Sequence, residues 1–531
     1  MSIEFKLFQL IKNPQSCLNR IFVQAPVNLE RMHMTLGKKR RSHIFFLLVA
    51  IALAFVTGCG DSSSNGSTEG TKPLVIISDI HFTPFYDPDL FDDLVNSPVE
   101  QWASIFQTSS ITEPLLWGNE SNYPLLVRAL DSALMEIGSS PVLLFPGDIL
   151  AHKFPEKFFD LYGKEDEEAL RSFVYKTVVF FATQVRERFG DTPVIFALGN
   201  NDSYAGDYKI VPGGKFLADT AEEFYSTLLL GGADSEDFFK TYPAGGYYVA
   251  EPPGSKVLFV CLNSILFSRH RIENIANEGD DIALKQLDWL ELTLAEASRT
   301  GKKVWLITHI PPGVDIFGTV STYMDKSGYI SNADSFWKEE YHELFLGICK
   351  RYEHVIEVVF SAHTHMDEYK LLLENDSIAY KATITVPSVS PIFGNDPAFR
   401  VVTMDRENWE LLDYRSVACH LGSASPEFSN YYVFSEAYST EMPLELSLMS
   451  LFPKLATDVL SQQRYTGFYY SGHNAANNIN ATNWPAYWCG IGKMVKDEYI
   501  ECKMVKDEYI ECVNSYRSGG ASTPIIFDNS Y

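Results

Sequence analysis

Seven side chains of metal-ligating type stand just behind strand-like apolar runs in this sequence. Asp79 and His81 close the run that begins Leu74-Val-Ile-Ile, and Asp148 follows Val142–Pro146 and Gly147. Asn200 follows Val194–Leu198 and Gly199, His309 follows Val304–Thr308, and His363 and His365 follow Val355–Phe360. Carboxylate oxygen and imidazole nitrogen are the donors that borderline divalent metals take. Side chains at the ends of adjacent buried strands converge on one edge of a sheet. Two Asp, one Asn and four His gathered there are enough to hold two divalent ions. Asp148 is a natural bridge, because a carboxylate can give one oxygen to each ion. A hydroxide held between two ions about 3.5–4 Å apart is a nucleophile at neutral pH, and the same ions neutralise phosphoryl oxygens. Each motif alone is common; five of them in order, each behind a strand, point to phosphoester hydrolysis.

The elements that must position these residues are legible as alternating patterns from Leu74 to about Asp413. Apolar residues recur at helical spacing over Tyr123–Ile137, Glu165–Phe189, Leu284–Arg299 and Ser335–Arg351. Further strand patterns are Tyr247–Val249, Val257–Leu262, Ala379–Val386, Phe399–Asp405 and Trp409–Tyr414. Trp305, inside a strand run, reads as core. Strand–helix alternation predicts an α/β fold. After about Ser423 the text turns Tyr/Ser/Asn-rich and helical, which predicts an extension and not a second catalytic unit. In it Lys493–Cys502 recurs without change as Lys503–Cys512. Two copies of a ten-residue unit do not make a solenoid.

The chain has 531 residues and a net charge of −25. Residues 1–58 carry eight Lys/Arg against two Glu, so the remainder is near −31. An acidic body argues against nucleic acid as a partner and offers no basic patch for anionic lipid. Lys38–Arg41 precedes thirteen apolar residues, Ile44–Val56, and then Thr57-Gly58-Cys59. That is the form of a secretory signal, too short for an ordinary membrane span. Val56–Cys59 resembles a bacterial lipobox, which makes Cys59 the lipid-bearing first mature residue. Residues 1–33 then read as a mis-assigned start or an extended leader, and Gly60–Gly70 as a flexible tether. The expected division is a leader at 1–58, a tether at 59–72, a catalytic domain at 73–423 and a helical extension at 424–531. The expected location is the bacterial cell envelope; Gly60 after Cys59 favours the outer membrane in a Gram-negative source. Cys261 and Cys349 read as buried thiols. An exported chain permits a disulfide from Cys489 to Cys502 or to Cys512.

The motif set resembles the calcineurin-like metallophosphoesterases over about Leu74 to Tyr414, whose pattern is Asp-x-His, Gly-Asp, Gly-Asn-His-Asp/Glu, His and Gly-His-x-His. The resemblance implies two packed mixed β-sheets flanked by helices. It implies one metal on Asp79, His81, Asp148 and His365, and a second on Asp148, Asn200, His309 and His363. Gly147-Asp-Ile-Leu-Ala-His152 is similar to the acid sphingomyelinase branch, as are Leu262–Ser264, Gln286–Leu290 and Ser388–Pro397. In that branch a His four after the bridging Asp assists the leaving group, which makes His152 the expected general acid. The branch also implies zinc, with manganese or iron as alternatives.

Three departures bear on this. Asn201 stands where the family has His; it can donate a hydrogen bond to a phosphoryl oxygen but no proton at ordinary pH. Asp202 is left as a second, weaker acid. Ala362 replaces the glycine before His363. The tether leaves no room for a saposin-like domain ahead of the first strand, which argues against sphingomyelin as the specific substrate. Tyr204, Asp207 and Tyr208 follow Asn200 closely and are expected to line the substrate cleft. The reading is a two-metal phosphodiesterase. The alternatives are a phosphomonoesterase or polyphosphatase and, in another class, a surface lipoprotein that binds metal or phosphate without turnover.

Overall fold

The computed structural model describes residues 70–271, 282–374 and 378–504. The leader, Cys59, most of the tether and Cys512 lie outside the described residues. Twelve strands occur among those described: β1 (Thr71–Ile76), β2 (Leu143–Phe145), β3 (Val194–Phe196), β4 (Tyr248–Ala250), β5 (Val257–Cys261), β6 (Lys303–Ile307), β7 (Ile356–Ser361), β8 (Glu368–Glu374), β9 (Ile378–Thr385), β10 (Ala398–Asp405), β11 (Leu411–Cys419) and β12 (Phe428–Val433). They form two six-stranded mixed sheets, in the orders β12-β11-β10-β1-β2-β3 and β4-β5-β6-β7-β9-β8. The expected fold class is therefore the one found.

Parallel pairing explains why the ligands meet. Strands β1, β2 and β3 are mutually parallel, as are β5, β6, β7 and β9. Their carboxyl ends share an edge, and all seven candidate ligands leave from those ends. These strands are buried on both faces, so they read as near-continuous apolar runs.

Helices cover the sheets. α1 (Tyr123–Ile137) starts where the Asn122 side chain accepts from the Leu125 N–H. α2 (Phe154–Tyr162) follows His152 directly. α3 (Glu167–Phe189) is capped by Asp166, with acids in its first turn and Arg186 and Arg188 in its last. α4 (Ile282–Thr300), α5 (Ile316–Tyr323) and α6 (Glu339–Arg351) belong to the second half. The sheets are joined at specific points. The Tyr248 hydroxyl accepts from the Phe196 N–H at 2.9 Å and donates to the Phe196 carbonyl at 2.7 Å. Trp305 is fully buried, as expected of core, and meets Trp409, in the turn joining β10 to β11 of the other sheet, at 5.9 Å between rings.

The tail departs from expectation. The boundary near residue 424 does not separate two structural bodies, because β12 pairs antiparallel with β11 and completes the first sheet. Beyond it come α7 (Leu444–Thr457), α8 (Val459–Tyr469), α9 (Trp484–Gly492) and α10 (Lys496–Met504). A Cβ on Gly490 of α9 would meet the outer carbons of the Ile316 side chain at 2.4 Å, so glycine lets Ile316 of α5 pack directly on the α9 backbone. Cys489 pairs with Cys502, the first of the two alternatives. Cys261, Cys349 and Cys419 are free and buried.

Candidate active site

The loops at the carboxyl ends are bent into conformations that L-residues rarely adopt. Asp79, His81, Asp148, His363 and His365 have φ of 48°, 43°, 61°, 74° and 66°. Strain of this kind persists where the surroundings over-determine it, and it concentrates at functional sites. Glycine makes the approach possible. A Cβ on Gly147 would meet the Gly199 nitrogen at 2.6 Å, and one on Gly199 would meet Asp148 Oδ1 at 2.0 Å.

The donor atoms converge. Nε2 of His81 and of His309 lie 3.3 and 3.2 Å from Asp148 Oδ2. His81 and His365 face each other through Nε2 at 3.0 Å, and His365 Nε2 lies 3.6 Å from Asp79 Oδ1. Asn200 Oδ1 meets His309 Nε2 at 3.0 Å and His363 Nδ1 at 2.8 Å. The Nδ1 atoms of His81 and His309 donate to the carbonyls of Leu150 and Pro146, at 3.1 and 2.8 Å. Each Nε2 is thereby turned toward the Asp148 carboxylate, the orientation ligating histidines take. Nε2 atoms facing a carboxylate, and two imidazole nitrogens facing each other, call for a proton or a metal ion between them. The donor atoms of His81, His152 and His365 lie within 4.8 Å of one another, as do those of Asp79, Asp148 and His309, so the set fits two metal ions, with Asp148 Oδ2 beside both groups.

The electrostatics agree. Burial pulls His309 down, but Asp148 outweighs burial and raises it to about 9. His81 is raised for the same reason. Burial and the His309 and His81 charges hold His363 and His365 well below the usual imidazole range. Burial works to raise Asp148, yet His309, His81 and the Asn201 N–H hold it well below the carboxylate range. The pocket calls for positive charge at its centre.

The remaining expected residues take different places. His152 lines the cavity, stacked on His81 with ring centroids 4.2 Å apart. Its Nδ1 lies 3.0 Å from Glu120 Oε1, which also accepts from the His152 backbone N–H. Lys157 holds the other Glu120 oxygen. Burial alone would raise Glu120; His152 and Lys157 outweigh it and keep the carboxyl below its usual range. Glu120 went unnoticed in the sequence because its loop carries no periodicity and no motif. Tyr208 lines the cavity with its hydroxyl 3.3 Å from His363 Nε2, and Asp207 lines it while accepting from Asn200 Nδ2.

Three residues are not where the sequence suggested. Asp202 accepts from the N–H groups of Asp148, Ile149, Leu150 and Gly199 at 2.9–3.2 Å. It sews two ligand loops together from inside, so it is a positioning residue with no access to a leaving group, although burial and Asp148 raise it to about 7. Asn201 is buried and donates its backbone and side-chain N–H to the two Asp148 oxygens at 2.9 and 3.0 Å. It orients the Asp148 carboxylate instead of lining the cleft. Tyr204 donates to Asp219 at 2.8 Å and packs on Phe216, away from the cavity lining.

The cavity itself measures about 380 Å³. Tyr469, Tyr470 and Asn478 line one side, so the C-terminal extension builds part of the site.

Residues 72–367 match the family model of the calcineurin-like phosphoesterases, more than half of the chain. This chain belongs to the calcineurin-like phosphoesterase family. The phosphoesterase is a metal-dependent phosphoric ester hydrolase. Among its relatives, acid sphingomyelinase-like phosphodiesterase 3b of Homo sapiens is 24% identical over 80% of this chain and 89% of that protein. Sphingomyelin phosphodiesterase of Homo sapiens is 25% identical over 75% of this chain and 60% of that protein. Cyclic GMP-AMP phosphodiesterase of Mus musculus is 24% identical over 72% of this chain and 81% of that protein. The similarity to the acid sphingomyelinase-like branch thus extends beyond the ligand motifs of the phosphoesterase.

Proposed function

We propose that this enzyme hydrolyses phosphodiesters with His152 as general acid, and that it works in the bacterial cell envelope, lipid-anchored through Cys59. The observation that carries the chemistry is the His152 ring, which lines the cavity, stacks on His81 and is held through Nδ1 by Glu120. Two divalent ions, zinc on the family resemblance, would supply a nucleophile at neutral pH and neutralise the phosphoryl oxygens. Asp79, His81, Asp148, Asn200, His309, His363 and His365 would hold them. Asn201 aligns the Asp148 carboxylate for that task, and Asp202 fixes the loops that carry both. Glu120 accepts the His152 Nδ1–H and so fixes the ring, leaving Nε2 to give its proton to the departing oxygen. The names of the relatives support a diester. The lipid anchor rests on the Val56–Cys59 pattern.

The test is hydrolysis of bis-aryl, alkyl-aryl, monoester and polyphosphate substrates, before and after chelation, with metal content measured on the same sample. The proposal expects diester turnover that chelation abolishes. A rate indifferent to chelation overturns the metal role. Preference for monoesters or polyphosphate overturns the diester reading, and two bound ions without turnover of any ester would make the protein a binding lipoprotein. Metabolic labelling with a fatty acid, lost in Cys59→Ser, tests the anchor.

A further inference from the structure

The duplicated decapeptide takes no part in the chemistry, yet its first copy is built into the fold behind the site. Lys493–Cys502 runs from the end of α9 into α10. Four of its side chains meet the rest of the protein. Met494 is buried with its sulfur against Gly313, 3.0 Å from where a Cβ would stand. Tyr499 is fully buried in a cluster with Val314, Ile330, Ala333, Ala486 and Cys489, and Ile500 packs at its edge. Cys502 is bonded to Cys489. The receiving groove backs the substrate cavity. Val314 leads into α5, α5 gives Ile316 and Phe317 to the cavity lining, and Ile316 packs on Gly490 of α9. Lys370 of β8 donates to the carbonyls of Val314 and Gly490 at 3.0 and 3.4 Å, which ties the two sides of the groove together.

Lys503–Cys512 repeats Lys493–Cys502 at all ten positions. Met504, Tyr509, Ile510 and Cys512 therefore stand at the spacings of Met494, Tyr499, Ile500 and Cys502. A groove selects side chains and not residue numbers, so it offers both copies the same contacts. Connectivity alone separates them. To seat the second copy, residues 493–502 must leave as a loop between Gly492 and Lys503. That junction is half-exposed at Lys493, and the cost of closing a loop rises only slowly with its length. The first copy is favoured on that account, by a margin small enough for one lost contact to reverse. The covalent step balances without an oxidant. As the first copy leaves, the Cys512 thiolate attacks Cys489 Sγ, the Cys489–Cys502 bond breaks, Cys489–Cys512 forms, and Cys502 departs as a thiolate. Cys261, Cys349 and Cys419 are buried and do not compete.

We propose that the groove between α5 and α9 is a binding site for the decapeptide with two competing occupants, residues 493–502 and residues 503–512, and that exchange between Cys489–Cys502 and Cys489–Cys512 locks whichever copy is seated. The brace behind the cavity is thereby held in duplicate, and loss of the first copy's anchor passes it to the second.

The experiment uses the full chain, equilibrated with reduced and oxidised glutathione, blocked with N-ethylmaleimide and digested with trypsin. The copies give different peptides, Asp497–Lys503 and Asp507–Arg517, so mass spectrometry tells which one is joined to Cys489. The unaltered protein should show mainly Cys489–Cys502. In Cys502→Ser most molecules should carry Cys489–Cys512. Tyr499→Ala keeps every cysteine but removes the first copy's main anchor, and should raise the Cys489–Cys512 share above about half. Thermal unfolding gives a second readout. Tyr499→Ala and Tyr509→Ala together should lower the melting temperature by about twice the sum of the single losses, because only the double variant leaves the groove without a tyrosine. Cys489 found unpaired, bonded to glutathione or bonded to another chain in a folded Cys502→Ser overturns the proposal. Additive losses in the tyrosine variants overturn it too, since the second copy then never takes the groove. Should Cys502→Ser fail to fold, the Tyr499→Ala map decides, and a Cys489–Cys512 share no higher than in the unaltered protein overturns the proposal.

Discussion

The floor of the site and the wall beside it are built on different plans. The floor is seven donor side chains on short loops, five at positive φ, each at the end of a parallel strand and locked by named hydrogen bonds. The wall is assembled from pieces far apart in sequence: Asp315 before α5, Glu368 on β8, Phe393 on a loop, and Tyr469 and Tyr470 at the end of α8. The difference teaches that turnover and selectivity are carried by separable parts. Damage to the floor should reduce every substrate alike, whereas damage to the wall should change the ratio between substrates.

The largest effect should come from the floor. Asp148→Asn removes a charge shared by both donor groups and is expected to lower kcat about a thousand-fold or more on all esters. Metal content, measured on the purified variant, should fall with it; a variant that keeps both its metal and its rate would break the distinction at its strongest point.

His152 and Glu120 stand between floor and wall. His152→Ala should cost about 10²–10⁴-fold on alkyl leaving groups and little on aryl ones, since aryl oxides leave without a proton. Glu120→Gln should show the same leaving-group dependence at about a tenth of that size, with a displaced pH profile, because Glu120 acts through the ring it holds. Equal losses on both leaving groups would move His152 into the floor.

Stability has to be separated from chemistry before any pH profile is read. His342 on α6 is buried, and burial, with Lys370 nearby, lowers it from 6.5 to about 4. It folds neutral, so the unfolded chain binds the extra proton between those two values. Its contribution is intact above 6.5 and is lost as pH falls toward 4, amounting to about 3 kcal/mol over that window. His342→Leu should flatten the denaturation midpoint across that range; an unchanged pH slope would show that another group carries it.

The smallest effect belongs to the wall. Tyr470→Ala should change KM a few-fold on large diesters and leave bis-methyl-type small esters within about two-fold, since one ring contact is worth on the order of 1 kcal/mol. A uniform fall in kcat instead would mean that the extension also supports the floor.

The difference in legibility has the same origin. The convergence of Asp79, His81, Asp148, Asn200, His309, His363 and His365 could be read because they stand just behind five strands, and parallel strands bring their ends together by geometry alone. Asp202 and Asn201 were visible as residues but not as roles, because only the contact between the Gly147 and Gly199 loops shows that both face Asp148 from inside. Tyr204 followed the same motif as Tyr208 and turned the other way, toward Asp219. Strands β8 and β12 escaped notice: β8 follows the His365 motif almost without a break, and β12 lies in text that reads as helical.

By itself, the sequence determined the α/β class, since local periodicity encodes it, and placed seven side chains of donor type at strand ends; the two mixed sheets followed from the family resemblance those motifs carry. The tertiary structure alone decided that Glu120 holds His152, that Asp202 and Asn201 are braces, that Cys489 pairs with Cys502, and that the C-terminal extension walls the substrate cavity. Those outcomes depend on contacts between segments tens to hundreds of residues apart, and no local pattern of residue types records which distant surfaces will pack together.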